Sequence, residues 1–231
     1  MKIDKNYKNM ERLENGNYYI KGNVEVDRDL EIDLDDWLEV EKSIIVKGRI
    51  VSKRTIKAGW GIKAGCGIKA GEGIKAGCGI KAGEGIKAGE GIKAGCGIEA
   101  GYGIEAGWGI EAGWGIKAGY GIEAGYGIEA GWGIKAGEGI KAGCGIKAGY
   151  GIEAGLNITA KWISSKLRIF AGLAIWKKPS KEEMQINVEE VKEGEICFGI
   201  LNIVKQIKKL TKEETQKELE KLYQCEVKIE S

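Results

Sequence analysis

The chain has 231 residues, with 36 Lys and Arg against 34 Asp and Glu for a formal charge of +2, 39 glycines, one proline and no histidine. Near-neutrality excludes a polyanion mimic and speaks against direct nucleic-acid binding, whose footprint is a clear excess of positive charge. No apolar run approaches the roughly 20 residues of a membrane span, and the opening "MKIDKNYKNMERLENG" holds no secretory apolar core, so a cytoplasmic protein with reduced cysteines and no membrane contact is expected.

Residues 1–55 read as an N-terminal β cap with irregular entry coils. Apolar residues alternate at Val24 and Val26, then at Leu30, Ile32 and Leu34, with Asp and Gly at the turns. From Ile56 a single phrase, Ile-Lys/Glu-Ala-Gly-x-Gly, repeats without insertion through Gly151 as sixteen hexads, then decays through "IEAGLN" to Ala160. A fixed short period is the signature of a solenoid. Collagen is a poor fit because the glycine intervals are unequal and proline is nearly absent; a flexible linker is a poor fit because an Ile recurs at every sixth place.

Within the hexad, Ile faces inward, Lys or Glu outward and Ala inward, which makes a three-residue strand. Continuing the alternation would bury x, yet x is Glu at 72, 84, 90 and 138, and a carboxylate between Ile and Ala would lack a partner. The alternation must break at the glycines, and positive φ on either side of x is the expected means. Three sides of six residues make an 18-residue coil; a two-sided, 12-residue coil remains open. Like residues 18 apart, such as Cys78 and Cys96 or Trp114 and Trp132, favour three sides. The fold class is all-β, a single-stranded β-solenoid with a β N-terminal cap and a small α+β C-terminal cap.

The phrase resembles the hexapeptide-repeat β-helices, and residues 44–58, "IIVKGRIVSKRTIKA", resemble the polymer-forming, bactofilin-like β-solenoids. The likeness covers about residues 24–160 and implies architecture, with self-assembly as the function of the bactofilin-like members. Left-handed hexapeptide proteins place a small residue four positions after the aliphatic one; here Trp, Tyr, Glu or Cys stands there, and the hand of the coil stays open. Many of those proteins are acyltransferases with a catalytic histidine, which this chain lacks, so no enzymatic activity, catalytic residue or cofactor is expected.

Residues 161–176, "KWISSKLRIFAGLAIW", keep strand character without the hexad and are expected to close the stack. Residues 177–231 read as a small α+β cap. In it, 184–207 supply two or three strands, and Thr211 with Glu214 forms a capping box that opens a helix over about 211–224. Its apolar face at Leu219, Leu222 and Tyr223 would dock on the adjacent sheet, or join two copies as a dimer.

The variable residues divide the repeat into three zones. Ile56 to Gly97 has only Lys at the second position and a net charge of +4; Ile134 to Gly151 is net +2. Between them, Ile98 to Gly133 is net −4, with aromatic x residues Tyr102, Trp108, Trp114, Tyr120, Tyr126 and Trp132 and carboxylates Glu99, Glu105, Glu111, Glu123 and Glu129. These eleven residues are the candidate partner-binding site. Rings of this kind can stiffen a ladder, but Trp and Tyr beside acidic groups also make the composition of a binding hot spot for a basic protein surface. Such a protein could be an inhibitor from a phage or mobile element acting on a host defence complex. A self-assembling scaffold and a carbohydrate binder are the alternatives. The four cysteines at x have no C-x-x-C spacing and no histidine, so no metal site is expected; an 18-residue coil would stack Cys78 and Cys96 on neighbouring rungs.

Overall fold

The computed structural model describes residues 1–204. Each hexad contributes one strand, three residues long except for Gly145–Ala148, with its Ile and Ala side chains inside and the Lys or Glu between them directed outward. Ile56–Ala58 does not pair with Ile62–Ala64 or Ile68–Ala70. It pairs in parallel with Ile74–Ala76, Ile on Ile and Ala on Ala. The same 18-residue step relates Ile62 to Ile80 and Ile68 to Ile86. The coil is therefore three-sided, and the 12-residue alternative is excluded.

The stack is a β-solenoid of about ten coils. Its core is a column of Ile and Ala; from Ile56 to Ala154 none of these is more than 7 % exposed. Full burial of one Ile contributes about 1.5 to 3 kcal/mol. That is the same size as the roughly 1 to 2 kcal/mol of extra ordering entropy that two glycines cost per hexad.

The corners between strands continue the hydrogen-bond ladder. Corner N–H groups donate to the carbonyl of the residue one coil back, as in Cys96 to Cys78 (2.9 Å), Trp114 to Cys96 (3.1 Å) and Trp132 to Trp114 (3.0 Å). The flanking glycines join in, with Gly113 N–H donating to Ala94 and Ile98 N–H donating to Gly115.

The expected positive φ at the glycines is not found. Among the described residues only Gly16, Gly22, Gly172, Gly194 and Gly199 take it, and none of these lies in the hexads. The glycine before x is needed for a different reason. A Cβ on Gly113 would lie 2.0 Å from the carbonyl oxygen of Gly95 one coil back, and the contact recurs around the repeat. The glycine after x is looser, a Cβ on Gly115 standing 3.3 Å from the oxygen of Gly133. Close coil stacking, and no left-handed bend, sets the glycine pattern.

The coil length changes where the hexad stops. The first coil spans 20 residues, as Tyr18 pairs with Leu38 and Leu30 with Ile50, and the second already has 18. Ahead of it, Lys2–Asp4 lies parallel on Leu30–Asp33, Glu11–Arg12 forms a hairpin with Tyr18–Ile20, and Tyr7 and Met10 pack on the core.

At the other end the stack does not close at 176. Trp162–Phe170 runs through two sides as one nine-residue strand, for the glycines that made the corners are gone. After an excursion over 171–184, strands Gln185–Val188, Glu190–Phe198 and Ile200–Ile203 add further rungs. The strands expected over 184–207 are present through Ile203, while the helix expected over about 211–224 lies outside the described residues.

Candidate functional site

Because a coil holds three corners, x residues 18 apart stack into three columns along the rod. One holds Trp60, Cys78, Cys96, Trp114, Trp132 and Tyr150. The second holds Cys66, Glu84, Tyr102, Tyr120, Glu138 and Leu156. The third holds Glu72, Glu90, Trp108, Tyr126 and Cys144. The six candidate rings thus fall into three pairs, one on each corner, separated by flat faces of Lys and Glu.

Trp114 stacks on Trp132 at 5.9 Å between ring centroids with 17° between planes, and Trp132 meets Tyr150 at 5.8 Å. Tyr102 and Tyr120 are 5.4 Å apart and tilted. Among the described residues no ring contacts Trp108 or Tyr126, which are 72 % and 67 % exposed; the other four are 50 to 59 % exposed. Tyr150, also well exposed, extends the first column to three rings and was missed from the sequence, although its step of 18 from Trp132 marks it.

The five candidate carboxylates are not free. Glu99 pairs with Lys81 (2.9 Å), Glu105 with Lys87 (2.6 Å) and Glu111 with Lys93 (2.8 Å), each Lys one coil back; Glu123 pairs with Lys141 (2.8 Å) and Glu129 with Lys147 (2.7 Å), each one coil on. The pattern follows from register. Glu105 faces Glu123 and Glu111 faces Glu129 in adjacent coils, so each acid turns from its like-charged neighbour to the Lys on its other side. The hydrogen bond from Lys81 holds the Glu99 carboxyl below its ordinary range, and those to Glu123 and Glu129 raise Lys141 and Lys147. Charge is thereby offset across the zone edges, leaving the rings as the belt side chains that no ion pair occupies.

A second apolar surface, not foreseen from the sequence, lies where the excursion packs along the second column. Gly172 and Leu173 donate to Leu156 and Ala154, and the loop leaves Ile175 fully exposed with Trp176 beside a recess bounded by Tyr120 and Glu138.

Among the described residues no cluster of three or more His, Cys, Asp and Glu could hold a metal ion, and no helix is long and apolar enough to cross a membrane. Cys66, Cys78, Cys96, Cys144 and Cys197 are free thiols. Burial and the neighbouring Cys78 thiol push the Cys96 thiol up. Compared with protein-family models, curated proteins and solved structures, the chain matches none.

Proposed function

We propose that this chain is a non-enzymatic, cytoplasmic binding protein, a rigid rod whose aromatic corners and flanking carboxylates engage a protein partner with a basic surface. An inhibitor encoded by a phage or mobile element, occupying the nucleic-acid-handling surface of a host defence complex, is the specific form we favour. The observation that carries the reading is that the fold does not need these rings. Cys78 and Glu90 sit at the same corner position as Trp114 and Trp108, and the corner ladder is equally well made at Cys96 to Cys78 as at Trp132 to Trp114. Rings that packing does not require, held at least half exposed with few rotatable bonds, suit a binding surface.

The ion pairs do not oppose this reading. Exposed Lys and Glu pairs contribute about 0 to 1 kcal/mol each, so a partner's Arg or Lys can replace the intramolecular Lys at small cost. A carbohydrate platform is less well supported at the first column, because a sugar stacks on a ring face, and Trp114 and Trp132 turn faces to each other. Self-assembly through the far end is the second reading. It is favoured by the exposed Phe198, Ile200, Leu201, Ile203 and Val204 on the last described rungs.

The test is a pull-down from host lysate with wild type beside the triple variant Trp108→Glu, Trp114→Glu and Trp132→Glu. We expect the variant to keep its far-UV CD spectrum and lose the retained partner. A partner held equally by both would refute the aromatic site, and collapse of the CD signal would make the rings scaffold.

A further inference from the structure

The first corner column carries a feature that partner binding does not use. Between Trp60 and Trp114 the column holds two consecutive thiols, Cys78 and Cys96, where every neighbouring rung but these carries a large ring. Cys96 N–H donates to the Cys78 carbonyl at 2.9 Å, so the two residues are directly stacked on adjacent rungs. Cys78 is exposed and Cys96 half-buried. Lys42 approaches the Trp60 ring from the preceding coil and Trp132 covers one face of Trp114. Trp60 and Trp114 thus stand one rung to either side of the two thiols.

We propose that Cys78 and Cys96 are a two-coordinate site for a soft monovalent cation, of which copper(I) is the representative. Rung spacing decides the chemistry. Neighbouring strands stand about 4.8 Å apart, while a disulfide wants its Cβ atoms at roughly 3.5 to 4.5 Å. A zinc–thiolate bond is about 2.3 Å, and two soft-metal–thiolate bonds of about that length in line span roughly 4.6 Å, close to the rung spacing. Zinc would need four ligands, and the described residues offer no cluster of even three here. Soft thiolate donors select copper(I), which accepts linear coordination. Binding releases both thiol protons and leaves a bis-thiolate complex of charge −1, with no change of oxidation state. Both cysteines lie in the zone Ile56 to Gly97, whose net charge of +4 offsets it.

The experiment is an anaerobic titration of the reduced full-length chain with copper(I) delivered from a competing chromophoric chelator. Tight uptake of one equivalent is expected, with tryptophan emission quenched to the same end point because Trp60 and Trp114 flank the site. Cys78→Ser and Cys96→Ser should each weaken that uptake by at least about 100-fold, the upper end of what losing even an outer-shell partner costs. Cys66→Ser and Cys144→Ser, whose columns place no second cysteine beside them, should leave it unchanged. Uptake that survives in Cys78→Ser, or that falls equally for any cysteine removed, would overturn the proposal.

Discussion

At the scale of single residues the two glycines of a hexad are chemically identical and structurally unequal. Gly113→Ala places a methyl 2.0 Å from backbone that cannot move without parting two coils, whereas Gly115→Ala meets its neighbour at 3.3 Å. We expect the first to cost about 3 kcal/mol or more and the second about 1 kcal/mol or less, read as melting temperatures by CD. Equal melting of the two variants would mean that the corner backbone is looser than this packing requires. Ile110→Ala, at a site 1 % exposed, should cost about 2 to 5 kcal/mol in the same assay. The inward place of Ile110 could be read from the alternation alone. The difference between Gly113 and Gly115 could not, since the clashing oxygen belongs to Gly95, 18 residues away.

At the scale of strands and corners, register converts a charge pattern into ladders. The Lys and Glu pairs from Lys81–Glu99 to Lys147–Glu129 are all at the surface, so 1 M NaCl, where the Debye length is about 3 Å, should move the melting temperature by less than about 4 °C. A larger fall would show that the ladders hold the coils together. One carboxylate does fasten an element. Asp33 accepts hydrogen bonds from Lys2 and Lys53, each at 2.7 Å, which lower its carboxyl to about 2 and tie Lys2–Asp4 to the first coil and that coil to the next. Its folded value lies below the unfolded one, so its stabilisation is complete above about pH 4 and is lost as the pH falls towards 2. NMR shifts of Ile3 should therefore report loosening of this strand over that window, while Asp33→Asn should be loosened already at neutral pH and show no such step. The zones of charge were visible in the sequence, but the partner of each carboxylate depends on which residue the coil length sets beside it.

At the scale of the whole molecule, the entrance end is closed. Ile3 is fully buried, and Tyr7 and Met10 pack against the core beside it. Deleting residues 1–16 would bare Leu30 and Ile32 together with the open edge of Leu30–Asp33, and light scattering should then show concentration-dependent oligomers where the intact entrance gives none. A truncated chain that stays monomeric would mean that this cap does not restrain end-to-end association. The sequence by itself determined that the protein is a solenoid, which side chains line it and which stand outside, because those follow from alternation and spacing inside one hexad. Only the tertiary structure decided that a coil closes after 18 residues and not 12. With that number came the division of the rings into three corner pairs, the pairing of each belt carboxylate with a Lys, and the stacking of Cys78 on Cys96. All of these are contacts between coils, and a phrase six residues long repeats equally well around two sides or three.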